Sequence, residues 1–163
     1  MSDVAFEVRG LVPQAKGSKR GYVVRRQGER GQAAGAKAYR AVLVEGGHGA
    51  QDALKAEWAA AIEAEARACA PATPLDGPLA LTAVFHFPRP KHETRAQQAR
   101  VWHTTPIDCD KAVRAVCDPL KKAGVIRDDS RISIVRAEKR YAPFGEPWRV
   151  GVAITVKQMA ETE

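Results

Sequence analysis

Cysteine is scarce in this chain and poorly placed for stapling it. Only Cys69, Cys109 and Cys117 occur, an odd number without a regular framework, which argues against a disulfide-held secreted scaffold. They form no Cys-x-x-Cys pair and no His-x3-His partner accompanies them, so a structural zinc site is not expected and three free thiols are. Long hydrophobic runs are lacking as well. No stretch approaches the length that spans a bilayer, and MSDVAFEVRG carries no apolar signal core, so a soluble cytoplasmic protein is expected. Internal repeats and low-complexity blocks are absent. Acidic residues are outnumbered: 26 Lys and Arg face 19 Asp and Glu, a net charge of +7. That balance favours an anionic partner, most often nucleic acid, without identifying it.

What is present suits one domain. A length of 163 residues is enough to bury a real core, and 45% hydrophobic with 28% charged residues is ordinary for a globular protein. Val4–Val8 alternates as a first strand, ended by Gly10 and Pro13. Gln14–Lys37 is Gly-rich and carries Lys16, Lys19, Arg20, Arg25, Arg26, Arg30 and Lys37 against Glu29 alone. Tyr22–Val24 and Tyr39–Val44 read as two arms of a long hairpin around the segment QGERGQAAGA. A basic loop of this kind tracks a phosphate backbone by releasing counterions; a solvated flexible loop has the same composition, and both readings stand.

A helix is expected from Asp52, as N-cap, to Cys69, with Leu54, Trp58, Ala61, Ile62 and Ala68 on its buried stripe. Glu63 and Glu65 belong to its solvated side. Leu79–Phe87 reads as a strand with Leu81, Ala83, Phe85 and Phe87 on one face and His86 on the other, a surface or satisfied histidine. Glu93–Arg100 is polar, either a mobile loop or a short helix. Ser130–Arg136 and Arg149–Val156 read as the strands of a hairpin around Pro143–Pro147. The order of elements points to an α/β (α+β) fold, one domain over residues 1–163 with a mixed β-sheet flanked by helices. Residues 14–37 form its basic mobile loop or hairpin and 158–163 its tail.

Between these lies Pro106–Arg136, where acidic residues gather. Pro106 keeps Thr105 extended, so a helix starts after it. Val113, Val116, Cys117 and Leu120 fall at i, i+3, i+4 and i+7 as its buried stripe, with Lys111, Arg114, Asp118 and Lys121 opposite. Asp110 is the expected N-cap and Asp108 lies in the extended lead-in, where side chains two apart share a face. Two converging carboxylates call for a cation, and magnesium or manganese takes such hard oxygens. Capping and turn roles account for either aspartate singly. Asp128 and Asp129 sit in good turn chemistry before the next strand. Asp118 reads as structural: an N-cap with Pro119 restarting a kinked helix, or a partner of Arg114.

The stretch IDCDKAVRAVCDPLKKAGVIRDDSRI resembles the signature of the RusA family of Holliday junction resolvases, approximately PDxDNxxKxxxDxLxxxGxxxDDxQ(V/I). FHFPRPKH resembles the F-P-R-P-K segment of phage members, and FEVRGLVPQAKGSKR resembles the family's opening strand and basic loop. The resemblance implies a small dimeric endonuclease, dependent on Mg2+ or Mn2+, that cuts branched DNA in recombination and repair in a bacterial or phage-infected cell. By motif position it places the metal on Asp108, Asp110 and Asp129, with Asp128 beside them. Catalysis would rest on Asp108, Asp110, Asp129 and Arg114. DNA contacts are implied for Lys16, Lys19, Arg20, Arg89, Lys91, Lys111 and Arg114. Two substitutions stand out, Lys111 for an asparagine and Arg114 for a lysine; a third departure is Ile107 in place of the proline before the first aspartate. Arginine keeps the charge but gives up a proton far less readily. A junction-binding protein with weak or no cleavage is the alternative that these two substitutions raise.

Overall fold

The computed structural model describes residues 3–17, 19–25, 39–45 and 50–160, with side chains for 3–17 and 50–160. These divide into two compact units, Met1–Lys16 with Ala53–Glu163, and Gly17–Asp52. In the smaller unit, β2 (Lys19–Arg25) pairs antiparallel with β3 (Tyr39–Glu45), from Lys19 opposite Glu45 to Arg25 opposite Tyr39. The two arms expected from sequence do pair; QGERGQAAGA lies outside the described residues.

The larger unit is a four-stranded mixed sheet in the order β1-β6-β4-β5, formed by β1 (Asp3–Arg9), β4 (Leu79–Phe87), β5 (Ile132–Tyr141) and β6 (Gly151–Gln158). The strict alternation of LALTAVFHF makes β4 the central strand. Leu79, Leu81, Ala83, Phe85 and Phe87 are buried, joined by Val4 and Val8 of β1 and Val152, Ile154 and Val156 of β6. Thr82, Val84 and His86 point to the other face, half-buried. Two helices complete the core: α1 (Ala50–Ala68) contributes Trp58, Ile62 and Ala66, and α3 (Cys109–Lys122) contributes Ala112, Val113, Val116, Cys117 and Leu120. The short α2 (Arg95–Gln98) settles the polar stretch as helix, with Thr94 and Gln97 closing a capping box.

Three expectations are corrected. The first concerns β5 and β6, which do not form a hairpin. β5 pairs parallel with β4, and β6 pairs antiparallel with β4 on its other edge and with β1. The physical reason is in the side chains: GVAITV is apolar enough for an inner strand, whereas ISIVRAEKRY carries four charges and takes the edge. A parallel neighbour needs a crossover, which α3 supplies. Secondly, α1 begins at Ala50, leaving Asp52 in its first turn rather than at the cap, and Leu54 is 51% exposed. Finally, α3 runs unbroken through Pro119, so Asp118 caps no restarted helix. Pro119 is itself buried, and the apolar residues on both sides of it hold the helix together despite the lost hydrogen bond. Gly124 ends α3 at φ 79°, with Val125 N donating to Leu120 O at 3.0 Å in a Schellman arrangement.

Candidate functional site

The lead-in to α3 holds the one non-glycine residue with positive φ among the described residues. Ile107 has φ 113°, a conformation that costs a β-branched residue about 1–3 kcal/mol. The Lys139 ammonium, on β5, donates to the carbonyls of Ile107 at 2.7 Å and Thr105 at 3.1 Å. Behind this turn sits His103, the one buried polar residue among the described residues, stacked on Phe87 at 4.0 Å. Its Nε2 lies 2.7 Å from Thr105 Oγ1, and among the described residues its Nδ1 has no partner. Burial and Lys139 together hold its imidazole below the ordinary histidine range.

Asp108, not Asp110, is the N-cap residue of α3, and its carboxylate makes no capping hydrogen bond. Instead it meets Lys111 Nζ at 2.6 Å, which lowers the Asp108 carboxyl and raises the Lys111 ammonium. Asp110, in the first turn, meets Arg114 Nη2 at 2.8 Å. Two i+3 and i+4 pairs thus neutralise the helix mouth from within the same helix. Arg114 is partnered by Asp110 and not by Asp118, which binds Lys16; the Lys16 amide also donates to Lys111 O at 3.1 Å.

After α3, Asp128 caps the short 3-10 turn Asp129–Arg131 by accepting from Ser130 N at 3.0 Å, and it pairs with Lys121. Lys121 and the turn hold its carboxyl well below the usual range. Asp129 is exposed in the 3-10 turn, and burial first, then the charges of Asp129 and Asp118, push the Cys117 thiol up to about 11. Among the described residues Asp129 makes no ion pair.

The four aspartates therefore occupy two stations along α3. Asp108 and Asp110 stand at its N-terminus, and Asp128 and Asp129 flank its later turns. Among the described residues no three acidic, histidine or cysteine side chains gather closely enough to hold a metal ion. The donors nevertheless fit a hard cation chemically. All are exposed or half-exposed carboxylates, and three already hold a lysine or arginine head group as a stand-in.

The expected DNA contacts separate into three groups. Lys111 and Arg114 are on the exposed face of α3, and Lys91 is exposed on the loop after β4. Lys19 and Arg20 lie on β2, where side chains are not among the described residues. Arg89 has its guanidinium committed to Ala142 O at 2.7 Å, Arg100 O at 2.8 Å and Glu93, and it covers the Tyr141 ring. The sequence does not mark Lys139. Its position within RAEKRY shows only a basic strand, and nothing local marks a residue that reaches another segment's carbonyls.

No curated protein matches this chain. A family model does, that of endodeoxyribonuclease RusA, over residues 14–155, which takes in β2 to β5, most of β6, both stations of aspartates and the lysine-held turn. With that span matched, the chain belongs to the RusA endodeoxyribonuclease family, the Holliday junction resolvases.

Proposed function

We propose that this endodeoxyribonuclease is divalent-metal-dependent and hydrolyses phosphodiester bonds in branched DNA, chiefly four-way junctions, in recombination and repair. The observation that carries this reading is the set of four aspartates on one helix and the turn packed against it, three of them already balanced by basic side chains. Asp108, Asp110 and Asp129 are the residues to hold magnesium or manganese, with Asp128 beside them. Bound there, the ion would supply an activated water and neutralise charge at the leaving oxygen.

The chain's own residues do the remainder. Arg114 and Lys111 balance Asp110 and Asp108 while the site is free of DNA, and both turn to the scissile phosphate when substrate docks. Arg114 suits a phosphate held bidentately and stays charged throughout, so it stabilises rather than donates a proton. Lys16, Lys91, Lys19 and Arg20 neutralise backbone phosphates around the branch, so binding weakens steeply with salt. The internal bonds of Arg89 support a different part for it, holding the Pro88–Glu93 loop that presents Lys91. A two-fold dimer suits paired cuts in a junction, because equivalent sites meet equivalent strands. The non-cleaving alternative has only the Lys111 and Arg114 pairs behind it, and an intramolecular cation on an exposed carboxylate is weakly held.

Asp110→Asn tests the assignment. It should abolish junction cleavage while leaving junction binding in chelator within about threefold of wild type, a loss confined to the chemical step. Cleavage that persists in the variant removes Asp110 from the site.

A further inference from the structure

The turn before Asp108 is stitched to one residue of β5 at three points. Lys139 Nζ donates to Ile107 O at 2.7 Å and Thr105 O at 3.1 Å, and the His103 amide donates to Lys139 O at 3.0 Å. Ile107 sits between Pro106 and Asp108 with φ 113°. Nothing in its own chemistry favours that angle: it has a branched Cβ, and glycine is the residue that adopts it freely. The conformation persists only where surroundings enforce it, and the two carbonyls flanking this strained step are the ones Lys139 holds. Asp108 follows at once and spends no oxygen on capping, so the backbone behind it fixes where its carboxylate starts from and what it reaches, here the Lys111 ammonium at 2.6 Å.

We propose that Lys139 is a positioning residue: by clamping the Thr105 and Ile107 carbonyls it holds the strained turn that aims the Asp108 carboxylate at the cation site. This rests on the reading of Asp108 as a metal-holding residue. It assigns to a β5 lysine a part distinct from phosphate binding, since its donors are turned inward to main-chain oxygens. The lysine is half-buried. A basic strand residue on a DNA-cutting enzyme would otherwise be assigned to the DNA.

The test compares wild type with Lys139→Met, which keeps length and loses the donors, and Lys139→Arg, which keeps charge and donors. Three quantities are read: Mn2+ binding by calorimetry without DNA, junction binding in chelator, and single-turnover cleavage of a four-way junction. Lys139→Met should weaken Mn2+ binding and slow cleavage by at least about tenfold each, the scale on which supporting partners of metal ligands act. Junction binding should stay within about threefold and lose none of its salt dependence, and Lys139→Arg should recover most of both losses. Wild-type Mn2+ affinity in Lys139→Met overturns the proposal, as does junction binding that falls in step with cleavage. Should Lys139→Met fail to fold by circular dichroism, Lys139→Gln decides on the same readings, being polar and too short to reach both carbonyls. A wild-type protein that binds no Mn2+ and cuts no junction would instead remove the functional reading on which the clamp depends.

Discussion

At the scale of single residues, the histidines set the acid side of this fold. His103 and His86 are both held below the ordinary value, each by burial first, with Lys139 adding to the effect at His103 and Arg140 at His86. An unfolded chain takes up a proton at each below about pH 6.5, while the folded chain does not until lower pH. The unfolded state therefore binds more protons through this window, and stability should fall as pH drops from about 6.5 toward the depressed folded values. A series of thermal melts between about pH 7 and 5 reads this directly. His103→Phe keeps a ring on Phe87 and removes one titrating site, so its melting temperature should depend less steeply on pH. An equally steep series in that variant would show that His103 takes no part. The local sequence marked the aspartates as candidates through D-x-D beside a helix start, a pattern that capping and turn roles also produce. His103 and Lys139 were not legible. Their parts depend on contacts with Phe87, Thr105 and Ile107 that only the folded register creates.

At the scale of elements, periodicity carried most of the fold. The bounds of β4 and the buried stripe of α3 follow from alternation and from i, i+3, i+4 spacing, because one face of each meets a core. Strand partnership did not follow. β5 and β6 are consecutive, and consecutive strands usually pair, but charge on β5 sends it to the edge and β4 separates the two. The β1–β6 seam offers a stability test. Gly151 has φ 150°, and a Cβ there would lie 1.9 Å from Val8 O, an overlap with backbone rather than with a yielding side chain. Gly151→Ala should destabilise the protein by about 3 kcal/mol or more, combining strain with overpacking. Urea unfolding would show it as a lower midpoint; an unchanged midpoint would mean that β1 and β6 do not approach so closely.

At the scale of the whole molecule, a net charge of +7 and an acidic site belong to one device. The basic excess draws DNA in from a distance, and the aspartates need cations to tolerate its phosphates. In this structure the cations are Lys111, Arg114 and Lys121, the first half-exposed and the other two exposed, and all able to change partner. The central claim is that a divalent ion at the aspartates turns this charge arrangement into a junction-cutting site. It is tested most directly by incubating the purified protein with an end-labelled four-way junction and with linear duplex of the same sequence, each with Mg2+, with Mn2+ and with chelator. The account predicts paired cuts in the junction when either ion is present, none in chelator, and little cutting of the duplex. An intact junction with both ions, or equal cutting in chelator, would contradict it.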